Sequence, residues 1–132
     1  MKQALCLMMI ALLGLGTFGC RHTEPFIEHN DEVLIYQLPY DLTYLRTMEA
    51  LQMHDEWEIE ETEKEFGVIT VRNIAYGNFG DADKRKIVFN IKSMALGKTS
   101  VMIEPEYQHV PGGNKLMELV ASYLSRASLA KS

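Results

Sequence analysis

Cysteine is almost missing from this chain. Its two copies, Cys6 and Cys20, both fall within the first twenty residues, so residues 21–132 carry no thiol. That stretch can hold no disulfide, no thiolate nucleophile and no cysteine-based zinc site. A basic excess is missing too: 13 Lys and Arg stand against 18 Asp and Glu, a formal net charge of −5. A general nucleic-acid binder would show a basic footprint, so the balance argues against that class. Beyond the N-terminus there is no long apolar run, which rules out a polytopic membrane protein. No internal repeat or low-complexity segment occurs. What is present fits one folded domain: 132 residues, 47% of them hydrophobic and 23% charged. Two independent cores would be cramped at that length.

The N-terminus reads MKQALCLMMIALLGLGTFGC. Lys2 is the only charge before Arg21, and Ala4 to Phe18 are apolar or small except for Thr17. A membrane-spanning helix needs about 20 such residues. The fifteen here, behind a short positive region, suit an export signal instead. The run closes on Gly19-Cys20. A small residue directly before a cysteine at the end of an apolar run resembles the lipobox of bacterial lipoproteins, with Thr17 and Phe18 as variants of its preceding positions. The resemblance implies cleavage between Gly19 and Cys20 and a diacylglycerol on the Cys20 thiol, the one side chain nucleophilic enough to form that thioether. An ordinary secreted protein and an uncleaved anchor are the alternatives. Arg21, rather than Asp, follows the cysteine. In Gram-negative lipoproteins that implies the outer membrane, periplasmic face; in a source with one membrane, the outer face of the plasma membrane.

Three segments follow: a signal at 1–19, a lipidated cysteine with a tether at 20–31, and a single α+β domain at 32–129. The tether, polar and broken by Pro25, spans at most about 35–40 Å when extended, which keeps the domain near the membrane. Val33 to Leu38 is an apolar run ended by Pro39 and reads as a strand. Leu42, Leu45, Met48 and Leu51, with Tyr44 beside them, suggest a helical stripe over Asp41 to His54, with Asp41 at the start to meet backbone N–H groups. Trp57 and Ile59 alternate with Glu58 and Glu60, Val68 to Ala75 is rich in β-branched residues, and Ile87, Phe89 and Ile91 alternate with Val88, Asn90 and Lys92. Val101, Ile103 and Tyr107 share a side of the last strand. Leu116, Leu119, Val120, Tyr123, Leu124 and Ala127 mark the strongest helix, with Asn114 as its N-cap. The expected order is β-α-β-β-β-β-α: an α+β fold with a four- to five-stranded antiparallel sheet packed by two helices.

Leu38-Pro39-Tyr40-Asp41, Trp57-Glu58-Ile59 and Gly67-Val68-Ile69-Thr70-Val71 resemble the helix-grip domains of the NlpB/DapX outer-membrane assembly lipoproteins. The likeness covers about the first half of the domain, and the last helix matches in type. It implies a sheet curved around a long C-terminal helix. It transfers no functional residue.

Candidate sites are few. Asp55 to Glu65 holds seven carboxylates and one lysine. A calcium site needs six to eight oxygens around one point, whereas a strand throws alternate side chains to opposite faces, so a charged edge that discourages association is the better reading. Lys84-Arg85-Lys86, with Lys92 and Lys98, offers a basic counterpart that could offset the acidic strand or touch anionic headgroups. His22, His29, His54 and His109 show no metal-ligand spacing, and His54 suits the end of the first helix. Ser93, Ser100, Ser122, Ser125 and Ser128 lie in no nucleophile elbow. The Gly77–Gly80 loop lacks the Gly-Lys-Ser/Thr ending of a phosphate loop. The expectation is therefore no enzyme, no cofactor and no metal. The chain reads as a membrane-anchored lipoprotein that serves as a non-catalytic protein-interaction module with an envelope protein as partner. The alternative is a carrier holding a small apolar ligand or lipid between helix and sheet.

Overall fold

The computed structural model describes residues 27–75 and 85–130. The signal segment, Gly19, Cys20, His22, the Gly77–Gly80 loop and Lys84 lie outside them. The elements are β1 (Val33–Tyr36), α1 (Tyr40–Gln52), β2 (Trp57–Glu63), β3 (Val68–Asn73), β4 (Lys86–Ala95), β5 (Lys98–Ile103), a 3₁₀ turn (Pro105–Tyr107) and α2 (Gly113–Ala130). The five strands form one antiparallel sheet in the spatial order β1-β5-β4-β3-β2. This is the α+β fold expected, in the expected order. Consecutive strands β2 to β5 meander as neighbours, and β1 closes the far side against β5.

Register puts one apolar row on the helix side. Ile59 lies opposite Val71, Val71 opposite Ile87, Ile69 opposite Phe89, Phe89 opposite Ile103, Ile91 opposite Val101 and Val101 opposite Leu34. Both helices cover that face. Leu51 from α1 and Leu116, Met117, Val120 and Leu124 from α2 join it in one continuous core, with Phe89, Ile69 and Val101 fully buried. A bulge in β2 between Ile59 and Glu61 shifts the register there.

The α1 stripe differs from the one expected. Steps of three residues fall about 60° short of a full turn each time. Leu42, Leu45, Met48 and Leu51 therefore drift around the helix, and Leu45 points to solvent. The buried face is Thr43, Tyr44, Thr47, Ala50 and Leu51. Its two threonines are tolerated because their hydroxyls bond back along the helix. Thr43 Oγ1 donates to Pro39 O at 3.0 Å, and Thr47 Oγ1 to Thr43 O at 2.8 Å. The helix begins at Tyr40 with Pro39 as N-cap residue, and Asp41 sits in the first turn, paired with Lys64 at 2.8 Å. It stops at Gln52, so His54 lies in the following turn. Tyr107 belongs to the 3₁₀ turn rather than to β5.

Candidate functional site

The last residues of the expected tether do not hang free. Residues 28–30, expected within the 20–31 tether, are bonded to the domain. The Glu28 carboxylate accepts N–H bonds from Gly112 at 3.1 Å and Asn114 at 2.9 Å. A carboxylate at the positive end of α2 satisfies free donors and opposes the helix dipole. Asn114 therefore sits inside the helix, and the cap comes from Glu28, 86 residues earlier. Asn30 is buried, and its backbone N–H and side-chain Nδ2 both donate to Gln108 O, at 2.9 and 3.1 Å. Gln108, buried too, donates through Nε2 to Ile103 O at 3.2 Å.

These two buried residues fix their exposed neighbours. His29 Nδ1 lies 3.3 Å from His109 Nδ1, with ring centroids 4.6 Å apart and planes tilted by 34°. Asp31 Oδ2 lies 3.6 Å from His29 Nε2. Sequence spacing gave no sign of this pair, because 80 residues separate the two histidines. His54 stands apart; its Nδ1 accepts the Glu56 N–H at 3.2 Å. Among the described residues, no group of three or more His, Cys, Asp or Glu side chains is arranged for a metal ion.

The two sheet edges differ in chemistry. β2 carries Glu58, Glu60, Glu61 and Glu63 along one edge. Glu60 spreads its carboxylate between Arg72 at 3.6 Å and Lys86 at 3.5 Å, so cations from β3 and β4 offset the acidic strand. These pairs are partly exposed, and such bridges contribute at most about 1 kcal/mol each. At the other edge, Leu34 and Tyr36 of β1 face α2. The Tyr36 hydroxyl lies 3.3 Å from Ala121 O and 3.1 Å from Ser125 Oγ. Strand alternation turns Val33 and Ile35 to the face away from the helices, where they are 45% and 47% exposed. Met102 lies opposite Val33 on β5.

Burial pushes the Tyr40 and Tyr44 hydroxyls above the usual phenol range. Tyr40 donates to Lys64 O, and Tyr44 to Val68 O at 3.1 Å, which ties α1 to the β2–β3 turn. The Asp41 carboxylate, accepting from Lys64, holds the lysine above its ordinary value. Among the described residues, surface depressions of about 210, 400 and 220 Å³ occur. The first is lined by Arg46, Tyr123 and Arg126, the second includes Met53 and Leu119, and the third includes Trp57 and Gly112. Among the predicted basic residues, Lys86 reaches the acidic strand. Ser93 Oγ and Ser100 Oγ bond to backbone carbonyls, of Ala95 and Lys92. No helix among the described residues is long and apolar enough to cross a membrane. No protein-family model and no curated protein matches the chain.

Proposed function

We propose that this protein is a lipid-anchored, non-catalytic interaction module of a bacterial envelope, docking on an envelope protein through its β1 edge. The observation that carries this reading is the contrast between the edges. Native sheets protect edges with charge, as β2 does here with its glutamates. β1 has no such guard: its outward residues are Val33 and Ile35, half exposed and uncharged. An extended segment of a partner can add to such an edge by backbone hydrogen bonds, with apolar pockets for alternate side chains. The export signal and Cys20 supply the membrane attachment through the lipid, with the periplasmic face of the outer membrane as the address. The interior supports a module over a carrier. Phe89, Leu38, Leu51, Ile69 and Leu116 are fully buried between helices and sheet, where a carrier would keep a cavity of several hundred Å³.

The test is photo-crosslinking in intact membranes from a probe placed at Ile35, with a probe at Glu61 as reference. A discrete protein adduct from Ile35 and none from Glu61 is expected. Adducts from Glu61 alone would overturn the edge assignment. A lipid retained by the purified domain in native mass spectra would favour the carrier.

A further inference from the structure

The His29–His109 pair has no role in the interaction module, and its geometry is specific. Two nitrogens bound to one tetrahedral zinc ion at about 2.0–2.1 Å stand about 3.3–3.4 Å apart. The two Nδ1 atoms are already 3.3 Å apart without any metal. The backbone that carries the two rings is held in place. Asn30 and Gln108, each next in sequence to one of the histidines, are buried and bonded backbone to backbone. Both rings are exposed, so solvent can complete a coordination shell.

Asp31 adds the orienting group. A metal-bound imidazole generally gives its other N–H to a carboxylate, which fixes the tautomer and raises the basicity of the ligating nitrogen. Asp31 Oδ2 stands 3.6 Å from His29 Nε2, just beyond hydrogen-bond distance, so a small side-chain movement brings it into that role. With the proton on Nε2, His29 presents the Nδ1 lone pair to its partner. Without metal, a hydrogen bond across the 3.3 Å contact needs a proton on one of the two Nδ1 atoms. The Glu28 carboxylate is engaged by the Gly112 and Asn114 N–H groups and is not counted as a ligand.

We propose that His29 and His109 form a two-histidine site for a divalent transition metal of the zinc or copper class, with water in the remaining positions. On binding, the imidazole that carries its proton on Nδ1 shifts it to Nε2 through solvent. Both Nδ1 lone pairs then ligate, and no net proton is released by the neutral pair. Imidazole donors suit these metals. A bound ion would clamp the segment around residue 29 to the turn before α2. The proposal does not rest on the docking role of β1.

The experiment is a titration of the full chain, solubilised in detergent, with zinc chloride and separately with copper(II) chloride. Binding is followed by calorimetry and by histidine side-chain NMR. One ion per chain with a dissociation constant below about 100 μM is expected for at least one of the two metals. His29→Asn and His109→Asn should each weaken it at least tenfold, and His54→Asn should leave it unchanged. Asp31→Asn, which removes a positioning group and no ligand, should weaken it a few-fold. Saturating metal should raise the melting temperature of the unaltered chain and not that of the double histidine variant. Both rings are exposed, and circular dichroism will check that the variants fold. Absence of binding below about 1 mM, or binding indifferent to His29→Asn and His109→Asn, overturns the proposal.

Discussion

Gly67 shows how a single residue fixes the join between two hairpins. Its φ is +70°, in the left-handed region, and its carbonyl accepts the Ile91 N–H at 2.7 Å. A Cβ there would stand 2.0 Å from Ile91 O, a backbone atom with nowhere to go. Gly97, at φ +71° in the β4–β5 turn, has nothing within 4 Å of the same position. The two glycines therefore separate strain from crowding. Gly97→Ala should cost about 1 kcal/mol, the penalty of a left-handed alanine. Gly67→Ala adds a steric clash and should cost about 2–4 kcal/mol. Urea unfolding of the two variants measures the difference, and equal midpoints would show that the β4 backbone yields.

At the scale of elements, the strands were legible because alternation is local: Ile87, Phe89 and Ile91 announce their face with no knowledge of their partners. The last helix was legible for the same reason, and Leu116, Val120 and Leu124 are buried as its stripe requires. Sequence reading placed α1 but missed part of its buried face. It followed leucine and methionine and discounted Thr43 and Thr47, whose hydroxyls are satisfied by carbonyls one turn back. The helix cap was also beyond reach, since 86 residues separate Glu28 from Asn114. The histidine pair is hidden by a similar separation. The corrected helix face has a direct consequence. Leu51 is fully buried in the core, and Leu45 is 45% exposed. Leu51→Ala should cost about 2–5 kcal/mol and Leu45→Gln less than about 0.5 kcal/mol. Thermal unfolding that ranks Leu45 as the costlier site would restore the three-residue stripe.

The molecule as a whole has two distinct ends. β1 enters beside Met102 and runs toward Thr99, so it points to the β4–β5 turn. Val68 lies opposite Asn90 and Arg72 opposite Lys86, which brings the β2–β3 turn to that same end. Phe66 and Leu96, at 72% and 105% exposure, mark it. Residues 28–30 are fastened at the other end, against Gln108 and the start of α2. Only six residues then lie between Cys20 and Ile27, and the seven steps of chain reach at most about 25 Å. Attachment at Cys20 would hold the α2 N-terminus toward the membrane and direct the turns away from it. The length of β1 would stand between the two, open to a partner. That arrangement depends on the lipid, since one acyl chain binds a membrane only marginally and stable anchoring takes at least two. Cys20→Ser removes the thiol that would form the thioether and leaves Cys6 as the remaining thiol in the chain. Labelling by a fatty-acid probe should be lost, and the protein should stay unprocessed or leave the membrane fraction. Undiminished labelling in that variant would place the attachment elsewhere, and the orientation argued from residues 28–30 would fall with it.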